Sequence, residues 1–185
     1  MALILVTAPS GAGKTSIMEI VQNYLGKHAL LECVSDTTRK MREGESHGRT
    51  YYYRNEETFQ KMVDNDEFAE HVEYDGNRYG ITVAEINGRL AKAENVYIIV
   101  NHEGYLQVKE KFPKAVGIFL HMSKEDCMAN MLLRGDSIEN ALSRIALYDD
   151  EMKNRNDYDY VVKNVRGQQA TTRNIIINII SQNQN

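Results

Sequence analysis

The stretch from Leu3 to Thr15 restricts the fold more than any other. An apolar run, Leu3-Ile4-Leu5-Val6, feeds Thr7-Ala8-Pro9-Ser10-Gly11-Ala12-Gly13-Lys14-Thr15. Apolar residues then return at helical spacing at Ile17, Ile20, Val21, Tyr24 and Leu25. That order predicts a buried strand, a loop of small residues and an amphipathic helix starting near Lys14 and closed by Gly26. Gly11 and Gly13 keep Cβ atoms out of the loop, so successive backbone N–H groups can reach phosphate oxygens, and the helix adds its positive dipole end. Ser10, Gly11, Ala12, Gly13, Lys14, Thr15 and Ser16 are therefore candidate ATP-phosphate ligands. Lys14 suits the outer phosphates, and the Thr15 hydroxyl suits the Mg²⁺ that travels with them. The strict pattern G-x-x-x-x-G-K-[ST] has glycine where this chain has Ala8, a residue tolerated while its backbone stays at negative φ.

The same strand-then-helix rhythm continues beyond this unit. Apolar runs at 30–34, 96–100, 116–120 and 160–162 read as strands. Helices are expected near 82–93, from 102 to about 112, after Ser123 (an N-cap, with Asp126 at the third helical position) and at 175–180. Ile138, Leu142, Ile145 and Met152 mark one long amphipathic helix, with Arg144 off its apolar stripe and free to face a ligand. Residues 35–80 break the rhythm, with an aromatic strand at Tyr51-Tyr52-Tyr53, a helix at 56–64 and a hairpin turn at Asp75-Gly76 or Gly76-Asn77. The expectation is an α/β protein: a three-layer P-loop NTPase sheet, parallel, with helices on both faces, interrupted by a small mixed insertion.

Composition narrows the function. In 185 residues, 42% hydrophobic content supports a real core. A net charge of −4 argues against a general nucleic-acid partner while allowing a local basic pocket. No apolar run approaches membrane-spanning length, so no membrane partner is expected. Two distant cysteines, Cys33 and Cys127, read as reduced, buried thiols of a cytoplasmic protein. The five histidines show no metal-ligand spacing. The Asn/Gln-rich end, Ser181 to Asn185, is expected to fray. At the end of the second strand, Ser35-Asp36-Thr37-Thr38-Arg39-Lys40-Met41-Arg42-Glu43-Gly44-Glu45 gathers hydroxyls and cations where open α/β sheets place ligands. Arg39 and Arg42 each present a planar fork suited to phosphate. Alone, this stretch reads equally well as a solvated loop; the glycine loop upstream favours phosphate binding.

Taken together, these stretches resemble the guanylate kinase family over nearly the full length. The matching residues are the Ala-Pro-Ser-Gly-Ala-Gly-Lys-Thr loop, Val34-Ser-Asp-Thr-Thr-Arg39 with Arg42 and Gly44-Glu45, Tyr51, Phe68-Ala-Glu70, Gly76-Asn-Arg-Tyr79-Gly80, Arg134-Gly135, Arg144, Glu151 and Tyr158-Asp-Tyr160. The resemblance implies a core (1–34, 81–120, 141–185), a nucleoside-monophosphate-binding excursion (35–80) and a short helical lid at about 121–140. It implies transfer of the γ-phosphoryl group from ATP, with Mg²⁺, to GMP or dGMP. Lys14, Thr15 and Arg134 would hold ATP and its metal. Arg39, Arg42, Glu45 and Tyr51 would serve the acceptor phosphate, Ser35, Glu70 and Tyr79 the base, and Arg134 and Arg144 the transferring group. Tyr79 fits packing equally well.

A carboxylate at Glu70 can accept from guanine N1–H and N2–H₂, whereas adenine offers it no such pair of donors. Three departures from the family pattern stand out: Ile81 replaces a Ser or Thr, Ile99 and Asn101 replace two acids, and Asn130 replaces a second lid arginine. Asn164-Val165 stands where the family has Asn-Asp. These departures keep two same-fold alternatives in view, ribose 1,5-bisphosphate or a pyrimidine deoxynucleotide as acceptor. A third alternative is a non-catalytic guanylate-kinase-like binding module, which the retention of Lys14, Thr15, Arg134 and Arg144 disfavours.

Overall fold

The computed structural model describes residues 1–74 and 76–184. β1 (Ala2–Thr7) is buried along its whole length because it is flanked on both edges. β7 (Asn95–Ile99) pairs with one edge and β8 (Val116–His121) with the other, both parallel. β2 (Leu31–Glu32) and β9 (Tyr160–Lys163) extend this to a five-stranded parallel sheet of order β2-β7-β1-β8-β9. Side chains alternate across β1. Ile4 and Val6 pack with Ile17 and Val21 of α1 (Lys14–Leu25) and with Ile176 and Ile180 of α8 (Gln169–Gln182). Leu3 and Leu5 pack with Ile86 of α3 (Val83–Leu90) and with Tyr105 and Val108 of α4 (His102–Lys111). Each large side chain so buried contributes about 1.5–3 kcal/mol. Strand order reverses beside β1, which places the glycine loop at the point where such sheets bind ligands.

A second, four-stranded sheet of order β4-β3-β6-β5 is built from β3 (Asp36–Thr37), β4 (Tyr52–Tyr53), β5 (Phe68–Tyr74) and β6 (Asn77–Thr82). Its small apolar cluster is Phe59 and Met62 of α2 (Glu56–Asp64) against Phe68, with the two phenylalanine rings stacked at 4.5 Å. Tyr74 pairs with Asn77 and Gly76 takes φ 67, a left-handed turn conformation. The expected turn residue Asp75 lies outside the described residues.

Several expectations are corrected. The long helix expected through Ile138 and Met152 is two helices, α6 (Ile138–Ile145) and α7 (Tyr148–Lys153), followed by a 3-10 turn at Asn154–Asp157. Only part of its apolar stripe meets a core: Ile145 and Met152 pack against it, whereas Ile138 and Leu142 are 67% and 54% exposed and Ala141 is the buried position of α6. The second strand spans only Leu31–Glu32, and α3 stops at Leu90, with Thr82 accepting the Glu85 N–H as its N-cap. The tail is ordered further than expected. α8 runs through Gln182, and Asn183 then donates to the Ile179 carbonyl and the Tyr160 hydroxyl. Asn185 lies outside the described residues. Cys33 and Cys127 are free, buried thiols, which burial pushes up to about 12 and about 11. No helix among the described residues is long and apolar enough to cross a membrane.

Candidate active site

Between Thr7 and Lys14 the chain must reverse over the sheet edge, and two glycines make that possible. Gly11 and Gly13 take φ 82 and 80. Close packing excludes side chains there as well. A Cβ on Gly11 would lie 2.3 Å from the Cys127 carbonyl oxygen, and one on Gly13 would lie 3.0 Å from Asn164 Nδ2. Ala8 meets the condition set by its sequence, since Asp66 alone among described non-glycine residues has positive φ. Two side-chain amides pin the loop. Asn130, on α5 (Lys124–Leu133), donates Nδ2–H to the Gly11 carbonyl at 2.9 Å, and Asn164 donates to the Ala12 carbonyl at 3.0 Å. Asn164 Oδ1 in turn accepts from the Thr172 hydroxyl at 3.1 Å. The first N–H groups of α1 have no intrahelical acceptor, which makes the loop's inner side an anion site.

The loop forms one wall of a cavity of about 400 Å³ that Lys14, Thr15, Ser16, Asn130, Arg134 and Arg166 also line. Lys14 reaches back toward the Ala8 carbonyl at 3.5 Å. Burial lowers its pKa; Glu151 of α7 opposes this, and the guanidinium groups of Arg134 and Arg144 add to it. Glu151 is itself raised by burial, against the pull of Lys14 and of a hydrogen bond from the Ser10 N–H. Its Oε2 is buried with no hydrogen-bond partner among the described residues. Arg134 is held by a two-point fork to Asp136, at 3.1 and 2.5 Å. Arg144 has no ion pair among the described residues, yet it bears on both Lys14 and Asp136. The break between α6 and α7 therefore separates Arg144 and Glu151, two groups of opposite charge that both act on Lys14.

A second group of residues lies on the second sheet. Arg39 Nη2 sits 2.7 Å from Glu45 Oε1, and the guanidinium lies over the Tyr51 ring at 5.5 Å. Glu45 also accepts from the Arg42 N–H at 2.7 Å and the Tyr53 hydroxyl at 2.8 Å; the Arg39 guanidinium first, then the Arg42 N–H and the Tyr53 hydroxyl, bring its pKa down to about 2. Tyr79 meets Tyr51 edge-on at 6.0 Å. The Arg42 side chain is exposed, and Ser35 is half-buried with its carbonyl accepting the Tyr52 N–H at 2.8 Å. Glu70, on β5, is 6% exposed. Burial first, then the neighbouring Glu103 charge, push its pKa up to about 8, against a hydrogen bond from the Ile81 N–H. Gly104 of α4 permits this approach, since a Cβ there would lie 2.8 Å from Glu70 Oε2.

Of the residues expected from sequence, the structure brings Gly11, Gly13, Lys14, Thr15, Ser16 and Arg134 together in one cavity and sets Arg144 within electrostatic reach of Lys14. Arg39, Glu45, Tyr51 and Tyr79 gather separately on the second sheet. Sequence reasoning assigned no role to Glu103, Glu151 or Arg166 and missed the loop-pinning role of Asn130 and Asn164. Glu151 is hidden in the run Asp149-Asp150-Glu151, which reads as a solvated face.

A parallel sheet whose first strand runs into a glycine loop, a lysine and a helix N-terminus, faced by arginines, defines a P-loop phosphotransferase. A family model described as Guanylate kinase matches residues 1–175. The guanylate kinase of Photorhabdus laumondii is 37% identical over 164 residues, 88% of this chain and 79% of that protein. That of Fusobacterium nucleatum is 35% identical over 182 residues, 97% and 95% of the two chains. A crystal structure of guanylate kinase from Anaplasma phagocytophilum superposes with a TM-score of 0.71 at 26% identity, covering 99% of this chain and 86% of that one. The chain belongs to the guanylate kinase family.

Proposed function

We propose that this enzyme transfers the γ-phosphoryl group of ATP to GMP or dGMP. The observation that carries the reading is the loop cavity, where glycines that admit no side chain, Lys14 and Arg134 surround space for a polyphosphate. Two polyanions must be brought end to end, and phosphoryl transfer needs alignment and cations around the equatorial oxygens rather than covalent help. In this reading Ser10 to Ser16 cradle the ATP phosphates, with Lys14 on the outer ones. Arg134 and Arg144 offset charge on the transferring group. Arg39, Arg42, Tyr51 and Glu45 form the acceptor-phosphate site, where phosphate would take over the guanidinium that Glu45 now holds. Glu70 reads guanine N1–H and N2–H₂, with Ser35 and Tyr79 beside the base.

Mg²⁺ would enter with ATP and polarise its phosphates. The exposed Thr15 hydroxyl, which lines the loop cavity, would help to hold it together with the nucleotide's own phosphate oxygens. That division fits a molecule in which no group of three His, Cys, Asp or Glu among the described residues could hold a metal. The excursion at 35–80 and the lid at 121–140 close over the ligands and exclude water. Buried free thiols support a cytoplasmic location, and the net charge of −4 supports small phosphorylated ligands rather than nucleic acid.

The test is ADP release with GMP, dGMP, dTMP, dUMP and ribose 1,5-bisphosphate as acceptors. Preference for a guanine nucleotide is expected, and preference for any other acceptor overturns the assignment. Lys14→Ala should cut kcat by on the order of 10²–10³ with an unchanged melting curve. Undiminished turnover would remove the loop from the mechanism.

A further inference from the structure

We infer that Gln107 is a positioning residue for base recognition: its carboxamide holds β5 so that the Glu70 carboxylate can accept from guanine N1–H and N2–H₂ together. The inference rests on the proposed reading of guanine by Glu70.

β5 is irregular where Glu70 sits. Phe68 pairs with Thr82 and Glu70 with Ile81, so the register slips between them and Ala69 is one residue extra. Such a bulge bends its strand, re-aims the neighbouring side chain and interrupts the ladder that would otherwise stiffen it. Phe68, Ala69 and Glu70 are consecutively buried. Two glycines let the surroundings close on Glu70. A Cβ on Gly80 of β6 would lie 2.8 Å from the Glu70 carbonyl oxygen, and one on Gly104 of α4 would lie 2.8 Å from its Oε2.

β5 is also the edge of the second sheet, so on its outer side the support must come from elsewhere. α4 supplies it. Gly104, Gln107 and Lys111 are spaced by three and four along that helix and share one face. Gln107 Oε1 accepts the His71 N–H at 2.9 Å, and Nε2–H donates to the His71 carbonyl at 3.1 Å. One half-buried side chain thus makes the paired contact that a neighbouring strand would make, at the residue directly after Glu70. On the other side of the bulge, Lys111 donates to the Phe68 carbonyl at 2.8 Å. Lys111 also pairs with Asp66, which ties it to the turn before β5; Gln107 serves β5 next to the base-reading carboxylate. Two parallel hydrogen bonds to one guanine edge tolerate little misalignment, so the reading depends on a strand that does not swing.

The experiment measures KM for GMP, IMP and ATP, with kcat, in the wild type, Gln107→Met, Glu70→Gln, their double variant and Asn55→Ala. IMP presents N1–H without the N2 amine. Gln107→Met keeps length and bulk and removes both hydrogen bonds. It should raise KM for GMP about 5- to 20-fold and cut the preference for GMP over IMP by about threefold or more, with kcat and KM for ATP within about twofold. Gln107→Glu, which keeps an acceptor for the His71 N–H and gives up the donor to its carbonyl, should move both readings in the same direction. In the Glu70→Gln background, Gln107→Met should add less than about twofold, because its effect passes through the missing carboxylate. Asn55→Ala removes the N-cap of α2, where Asn55 Oδ1 accepts the Thr58 N–H at 2.7 Å. It loosens the same excursion away from β5 and should leave KM for GMP and the GMP preference unchanged. An unchanged KM for GMP in folded Gln107 variants overturns the inference, as does an equal loss in the Glu70→Gln background or in Asn55→Ala. A wild type that does not discriminate GMP from IMP, or a Glu70→Gln protein with wild-type KM for GMP, would instead refute the reading of guanine by Glu70 and the inference with it.

Discussion

Lowering the pH from 8 to 6 should weaken GMP binding by protonating a single carboxyl, that of Glu70. The group is buried, faces the charge of Glu103 and receives one compensating hydrogen bond, from the Ile81 N–H, so its pKa is pushed up to about 8. Only the carboxylate can accept from both guanine N1–H and N2–H₂. The ionised fraction is about one half at pH 8, about 9% at pH 7 and about 1% at pH 6, so apparent affinity should fall about 50-fold across that range. At pH 7, binding should release about 0.9 proton per GMP, read from titrations in buffers of different ionisation enthalpy. The acceptor's own phosphate titrates near pH 6, so wild type is compared with Glu70→Gln at each pH; the phosphate contribution cancels in the ratio. Stability runs the other way. The folded pKa lies above the unfolded one, so the native state holds the extra proton between about pH 4.5 and 8 and loses stability as pH rises through that window. Glu70→Gln should therefore be the more stable protein at pH 8, by on the order of a few kcal/mol. A wild-type to Glu70→Gln affinity ratio that stays constant from pH 6 to 8, with no proton released, would refute the reasoning: Glu70 would then be ionised throughout or would not touch the base.

The other predictions concern the loop and its cations. Gly11→Ala places a Cβ 2.3 Å from a backbone carbonyl at a φ of 82, and should cost at least about 2 kcal/mol in chemical denaturation as well as ATP affinity; a stability loss below 0.5 kcal/mol would contradict the packing. Arg144→Ala breaks no ion pair among the described residues, so its Tm should stay within about 2 °C of wild type while kcat drops on the order of 10³; a large Tm loss with retained kcat would make Arg144 structural. Cys33 and Cys127 should resist thiol reagents in the native protein at pH 8 and react on unfolding, because burial disfavours both thiolates; rapid native labelling would show that the protein opens at those sites.

The parts of the fold that could be read in the sequence are those that depend on local chemistry. The β1-loop-α1 unit announces itself because a fully buried parallel strand must be continuously apolar and the reversal needs glycine at positive φ. Ser123 and Asp126 form their cap as the spacing requires. Periodicity misled where it reports amphipathicity rather than burial. Ile138, Leu142 and Ile145 keep helical phase with Met152 straight through the break at Ala146-Leu147, so no pattern reveals two helices or exposed apolar residues. Contacts between distant segments were invisible for another reason. Asn164 acts on Ala12 from 152 positions away, and Arg166 lines the loop cavity because β9 ends beside the loop.

The departures from the family pattern converge on Glu70. Where a Ser or Thr hydroxyl would stand, Ile81 is 1% exposed and packs with Ala69, Ile86 and Val100 in the core beneath α3 and α4. Asn101 uses its carboxamide to cap α4, accepting the Gly104 N–H at 2.8 Å. Neither side chain is then available to the base, and neither supplies a donor to the Glu70 carboxylate. In the proposed acceptor site Glu70 would then face the guanine edge with no side-chain hydroxyl at position 81 and no carboxylate at position 101, in surroundings made more apolar by Ile81. Restoring a hydroxyl with Ile81→Ser adds a donor next to the carboxylate and favours its charged form. In the Glu70 titration, that variant's midpoint should move below 8 and its GMP affinity at pH 6 should rise toward the pH 8 value. An unmoved midpoint in a folded Ile81→Ser protein would separate Glu70's raised pKa from the loss of the hydroxyl and assign it to Glu103 and burial alone.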